Sequence, residues 1–278
     1  MNMNKTKDKP RTLINLIGMP SLLGIIYFGD LIFTSFIYIV IFLCTKELND
    51  ICKHKEYSIN IAWLYSIYSL MFISHCINFS IISLKWVLIC LSLLLFISQL
   101  IKNDKKPLAS IAITLFAFIW IGLFLDCGIY LRNLQSGMNI IYCLFLSVWM
   151  CDSAAYIFGK KFGKSKILPH ISPNKTWVGT ISGFIFSTLL VYVLVEIDFI
   201  KLNIYVFSVK DVITIGFIVG VVGQLGDFFE SMIKRELNVK DSGTILQGHG
   251  GVLDRMDSLI LAAPCYYIYL KFIIGING

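Results

Sequence analysis

LASIAITLFAFIWIGLFLDC, residues 108–127, carries no charge until Asp126, next to its end. A helix that crosses a bilayer needs about 20 consecutive, mostly apolar residues. Every backbone N–H and C=O in lipid must be satisfied within the segment itself, which favours a continuous helix. This stretch meets the requirement alone. Working outward, the same pattern recurs at Leu13–Phe28, Leu31–Thr45, Ser58–Ser80 and Trp86–Ile101 before it, and at Met138–Phe158, Trp177–Val195, Val212–Phe229 and Ser258–Ile274 after it. Composition agrees. The chain is 57% hydrophobic and 15% charged, whereas soluble domains run at roughly 45–50% and about 25%. The surplus apolar surface calls for lipid, which excludes a soluble two-domain protein. The expected fold is all-α: a polytopic membrane helix bundle of about nine transmembrane helices.

The first two stretches are short, and only Gly29-Asp30 separates them, so one broken span is an alternative to two. Charge placement favours two. With nine spans and a cytoplasmic N-terminus, only Lys85, Arg132, Lys201, Lys210 and Lys271 of the 24 Lys and Arg fall on the far side. Positive residues collect on the cytoplasmic side. Merging the first two spans would send the basic N-terminus across the membrane. No secretory cleavage site, internal repeat or Pro/Ser-rich linker is evident. Residues 1–135 (spans one to five) and 136–278 (spans six to nine, with loops 159–176 and 230–257) are expected to form one structural unit. The eight cysteines are scattered through apolar stretches without a CxxC pair, which fits apolar packing better than disulfides or zinc. His54 reads as a solvated loop residue, His75 as a span residue and His170 as a loop residue. Asp30, Asp126, Glu196 and Asp198 read as solvated ends at the far face.

Polar density is concentrated in GDFFESMIKRELNVKDSGTILQGHGGVLDRMDS, residues 226–258. Asp227, Glu230 and Ser231 stand at i, i+3 and i+4, on one helix face. Asp254 and Asp257 repeat the i, i+3 spacing where the last span begins. Carboxylates at membrane depth are costly and usually face a bundle interior or a watery cavity. Lys234, Arg235, Lys240, Asp241, His249 and Arg255 lie between or beside them, and Gly248-His249-Gly250-Gly251 lets backbone approach a ligand closely. Carboxylates for Mg²⁺ with Lys and Arg for phosphate charge suit a phosphate substrate. A second cluster spans Trp149–Gly179, with Asp152 at the end of span six and Ser172-Pro173-Asn174-Lys175-Thr176 before span seven. There Ser172 and Thr176 also read as helix caps, and Lys175 reads equally as an orientation charge or a phosphate ligand. The expected topology lets Asp152, Asp227 and Asp254 converge at the cytoplasmic face.

These residues resemble the phosphatidate cytidylyltransferase (CDP-diacylglycerol synthase) family. Its long C-terminal signature is matched by Ser231, Lys234-Arg235, Lys240-Asp241, Gly243, His249-Gly250-Gly251, Asp254-Arg255 and Asp257. Gly226-Asp227, Asp152, Ala155-Tyr156 and Ser172-Pro173-x-Lys175-Thr176 also fit, and the first half resembles the family only in hydrophobic character and span count. Gln247 stands where the family has a small residue, and Val178 where it has a carboxylate. The resemblance implies transfer of the cytidylyl group of CTP to phosphatidic acid, with release of pyrophosphate, in phospholipid biosynthesis. It implies Asp227 and Asp254 as ligands of Mg²⁺, with Asp152 and Asp257 less firmly in that set, and room for a second cation. Lys175, Lys234, Arg235, Lys240 and Arg255 would hold phosphates, with Ser172, Thr176, Ser231, Gly250 and Gly251 at the substrates. Asp241 and His249 complete the expected catalytic set. Location in a bacterial inner membrane, a cytoplasmic site, a homodimer and no nucleic-acid partner are further expectations. A membrane phosphotransferase with another acceptor, or an ion-coupled transporter, are the alternatives. Transporters commonly show repeats and midplane sites, neither of which this chain suggests.

Overall fold

The computed structural model describes residues 18–77, 81–102, 106–200, 205–245 and 250–276. They contain nine helices: α1 (Gly18–Phe28), α2 (Asp30–Cys52), α3 (Ile61–Ile77), α4 (Ile81–Lys102), α5 (Pro107–Arg132), α6 (Gly137–Phe162), α7 (Trp177–Glu196), α8 (Val209–Glu236) and α9 (Leu253–Ile274). Among the described residues the only β pairing is the isolated bridge between Lys166 and Thr176. The all-α membrane bundle is therefore observed. Each apolar stretch gives one helix. Six of them, α2 (with its one-turn extension to Lys55) and α5 to α9, are long and apolar enough to cross a membrane. Between α1 and α2 the backbone breaks: Gly29 takes φ 63° and ψ −147°, and Asp30 takes φ 40°. Glycine tolerates that region, so Gly29-Asp30 makes two helices of what could have been one.

The chain divides into two compact units. The first comprises residues up to Asp126 together with Leu237–Leu253. In it α2 buries Phe33, Ile37, Tyr38, Ile41, Cys44 and Leu48, the i, i+3, i+4 stripe of a packed helix face. α3 buries Trp63, Leu64, Ile67, Tyr68 and Met71. The fully buried Tyr68 accepts from Thr45 Oγ1 at 3.5 Å and donates to the Ala117 carbonyl at 3.3 Å. Just beyond Ala117, α5 widens into a π turn at Phe118–Leu123. A Cβ on Gly122 would come within 2.5 Å of the Tyr68 ring, so glycine makes the room.

Asp126 departs from expectation. It is 3% exposed rather than solvated. Its Oδ1 accepts from the Tyr38 hydroxyl at 3.0 Å and lies 3.0 Å from His75 Nε2. Tyr38 of α2 and His75 of α3 supply the polar partners that an acid needs away from water. Asp30, Glu196 and Asp198 are exposed, as expected.

The second unit comprises Cys127–Glu236 and the residues from Asp254 onward. Its most extensive helix pair is α6 with α7. A Cβ on Gly179 would stand 2.8 Å from the Ala155 carbonyl, and one on Gly183 would stand 2.9 Å from Cys151 Sγ. Small residues let membrane helices approach backbone to backbone, where dispersion replaces the missing hydrophobic drive. α8 opens with a capping box between Ser208 and Asp211, then passes through a π turn at Ile218–Val222. A Cβ on Gly226 would run into the Asp257 carbonyl, so α8 and α9 meet at this point.

Candidate active site

α8 carries Asp227, Glu230, Ser231 and Lys234 at i, i+3, i+4 and i+7, so one face presents all four. The loop from α6 to α7 reaches that face. Thr176 caps α7 by accepting from the Gly179 amide at 3.2 Å. The Ser172 carbonyl accepts from the Lys175 amide at 3.4 Å, and Arg235 Nε donates to the Ile171 carbonyl at 3.2 Å. The loop so folded delivers Lys175, whose ammonium pairs with Asp227 Oδ2 and lies 4.3 Å from the centre of the Phe228 ring. Ser231 donates to Asp227 Oδ1 at 3.4 Å.

Lys234 sits between two acids, 2.7 Å from Glu230 Oε2 and 2.6 Å from Asp254 Oδ1. It is buried with Glu230, and such a pair is costly to break because either partner alone is an uncompensated charge. The other Glu230 oxygen, Oε1, is buried with no hydrogen-bond partner among the described residues. Asp257 takes the Ser258 amide at 2.6 Å. Asp227, Glu230 and Asp257 offer one carboxylate oxygen each within 4.8 Å of one another. At an effective dielectric constant of about 20, two unit charges at that separation repel by roughly 3 kcal/mol. A cation offsets that repulsion, and the orphaned Oε1 is an acceptor in need of one. The residues present therefore fit a metal ion.

A cavity of about 610 Å³ opens beside Asp227. Asp152, Lys175, Thr176 and Gln224 line it with Asp227, and Lys160, Lys166 and Asn174 add polar and basic groups. Its wall includes Gly159, Gly163 and Gly179. A Cβ on Gly163 would run into Thr176 Oγ1, and one on Gly159 would lie 3.0 Å from it. Gln224 Nε2 donates to the Thr180 carbonyl at 3.1 Å and approaches Cys151 Sγ at 3.3 Å.

The second unit thus brings Asp152, Lys175, Thr176 and Asp227 to one cavity, and gathers Ser231, Lys234, Asp254 and Asp257 around Asp227 and Glu230. Asp254 is engaged by Lys234, and Glu230, which the expected metal set omitted, stands beside Asp227. The i+3 spacing from Asp227 was its signal. Ser172 shapes the Lys175 turn, and Arg235 and Arg255 are exposed. Lys240, Asp241, Gly250 and Gly251 belong to the segment grouped with the first unit. His249 and Gln247 lie outside the described residues. Val178 is 38% exposed on the first turn of α7.

Comparison with known proteins covers nearly the whole chain. The sequence model of the Cytidylyltransferase family matches residues 9–273. A phosphatidate cytidylyltransferase of Staphylococcus saprophyticus is 37% identical over 94% of this chain and 98% of its own length. Those of Staphylococcus haemolyticus and Staphylococcus aureus (strain COL) are 34% and 33% identical over the same shares. The chain belongs to the cytidylyltransferase family.

Proposed function

We propose that this protein is a phosphatidate cytidylyltransferase, which makes CDP-diacylglycerol and pyrophosphate from CTP and phosphatidic acid. The observation that carries the reading is the Asp227, Glu230 and Asp257 cluster, with Lys175 on Asp227 at the wall of a basic cavity. In the reaction a lipid phosphate oxygen bonds to the α-phosphorus of CTP. The bond from that phosphorus to the oxygen bridging to the β-phosphate breaks, and pyrophosphate leaves with the electron pair. Both reactants are anions, so positioning and charge neutralisation carry the catalysis. No separate base is needed, because a phosphate monoester is already mostly ionised near neutral pH.

Asp227, Glu230 and Asp257 would hold Mg²⁺, which supplies neutralisation of phosphate charge when bound. Asp152, on the same cavity as Asp227, is the acid available to a second cation. Lys175 meets phosphate charge from the cavity side, and Asp227 orients it through their ion pair. Lys160 and Lys166 extend the positive lining for a triphosphate. Lys234 is held in place by Glu230 and Asp254, a role for Asp254 different from direct metal binding. The lipid acyl chains stay in the bilayer, and the basic loops support a bacterial inner-membrane protein with its site toward the cytoplasm and nine crossings.

The test is purified protein in lipid with Mg²⁺, labelled CTP and phosphatidic acid, run beside the other nucleoside triphosphates and other lipid acceptors. Formation of CDP-diacylglycerol from CTP supports the reading. Folded protein that forms none, or that prefers another acceptor, overturns it.

A further inference from the structure

Glu47 stands near the end of α2, in the half of the chain where the motifs are silent, and only 3% of it is exposed. A carboxylate buried in an apolar helix needs hydrogen-bond donors. One later segment supplies three donors. The Val252 amide donates to Oε1 at 2.9 Å. The Leu253 amide and the Ser242 hydroxyl donate to Oε2, at 2.9 Å and 3.0 Å. Two glycines of that segment close over the carboxylate. A Cβ on Gly243 would lie 2.6 Å from Oε1, and one on Gly251 would run into Oε2. Gly250 beside it takes φ 81°, a conformation that costs other residues strain.

One side chain therefore ties both ends of the segment, Ser242 at its start and Val252-Leu253 at its finish. The first amides of a helix have no acceptor within the helix, and a local cap side chain usually provides one. For the Val252 and Leu253 amides, Glu47 of α2 provides it. The next residue in the chain is Asp254, the partner of Lys234, and Lys240-Asp241 lie just before Ser242.

We propose that Glu47 is a positioning residue for cytidylyl transfer, holding the two ends of the glycine-rich segment between Asp241 and Asp254 through the Ser242, Val252 and Leu253 bonds. The role rests on the function proposed above.

The test uses the full-length protein in lipid with Glu47→Ala, Glu47→Gln and Ser242→Ala. Two readouts are taken: steady-state kinetics with CTP and phosphatidic acid, and amide hydrogen exchange of the peptide containing Val252 and Leu253. Small misplacements of reacting groups cost up to about 10²-fold in rate. The expected result is kcat lowered roughly 10- to 100-fold in Glu47→Ala, less in Glu47→Gln, and least in Ser242→Ala, with KM for CTP little changed. Exchange at Val252 and Leu253 should rise in the same order. Gln keeps the shape and one acceptor oxygen, so its partial rescue separates positioning from mere filling of the core. Wild-type kcat per folded molecule in Glu47→Ala, or unchanged exchange at Val252-Leu253, overturns the proposal. Should Glu47→Ala fail to fold, the same criteria apply to Glu47→Gln and Ser242→Ala. Wild-type protein without cytidylyl transfer overturns the functional reading instead, while the exchange arm still reports whether Glu47 holds the segment.

Discussion

Asp126 in the first unit and Glu230 in the second are both carboxylates sunk in apolar helices, and they are satisfied in opposite ways. Asp126 receives Tyr38 and His75, each at 3.0 Å, and belongs to no cluster of three or more potential metal ligands among the described residues. Glu230 has Lys234 on one oxygen, nothing on the other among the described residues, and two more carboxylates within 4.8 Å. Burial of an acid is common to both sites and so distinguishes neither. What separates them is the crowding of acids around an oxygen with no hydrogen-bond partner among the described residues. The first arrangement is complete as it stands, whereas the second fits a cation, and it is there that we propose the chemistry lies.

The largest effect that would sharpen this contrast comes from Asp227→Asn. It removes one carboxylate of the cluster and the partner of Lys175, and turnover should fall by roughly 10³-fold, the scale of losing a preorganised electrostatic group. The fold should survive, because one of the crowded charges is removed. CDP-diacylglycerol formation measures the first part. Thermal melts with and without Mg²⁺ measure the second, since an ion that binds only folded protein raises Tm. A fully active Asp227→Asn protein would remove the cluster from the mechanism.

Next comes Lys234→Met, which leaves Glu230 and Asp254 without their shared ammonium. Breaking a buried pair in this way costs about 3–5 kcal/mol, visible as a lower unfolding midpoint and poor recovery of folded protein. Adding Glu230→Gln to Lys234→Met should recover part of that loss, because the two residues are in contact and their effects are not additive. The matching change in the first unit is Asp126→Asn. It weakens hydrogen bonds from Tyr38 and His75 and should cost about 1–3 kcal/mol, with kcat per folded molecule unchanged. If Asp126→Asn abolishes turnover in folded protein, the division between a complete site and an incomplete one fails.

The sequence carried the helices well and the pairings poorly. Apolar runs are a local property, so each of the nine helices was legible, and the i, i+3 spacing put Asp227 and Glu230 on one face. Which acid pairs with which lysine depends on how α8 meets α9. That contact is set by Gly226 against the Asp257 backbone, and nothing in residue order states it. Lys234 therefore takes Asp254, and Asp257 joins the cluster with Asp227 and Glu230. Asp126 escaped for the same reason: its partners lie 88 and 51 residues away. The grip of Glu47 on Val252 and Leu253 spans still more of the chain, 205 and 206 residues. Spacing rules reach one or two helical turns, and these contacts lie beyond them.

The smallest expected effect concerns Val178, where the family pattern has a carboxylate. Successive helical residues turn by about 100°, so Val178 points well away from the direction shared by Thr176, Gly179 and Thr180. Those three line the cavity with Asp227, while Val178 is 38% exposed on the first turn of α7. Val178→Glu would place a negative charge near the N-terminal end of α7, where the helix dipole favours it by about 0.3–1 kcal/mol. Stability should therefore rise slightly or hold, and kcat/KM for CTP should change by less than about threefold, a loss or gain under 0.7 kcal/mol. A tenfold or larger gain in kcat/KM would mean that this acid acts on the substrate or its cation after all. The acids Asp227, Glu230 and Asp257 would then be only part of the carboxylate set that the chemistry requires.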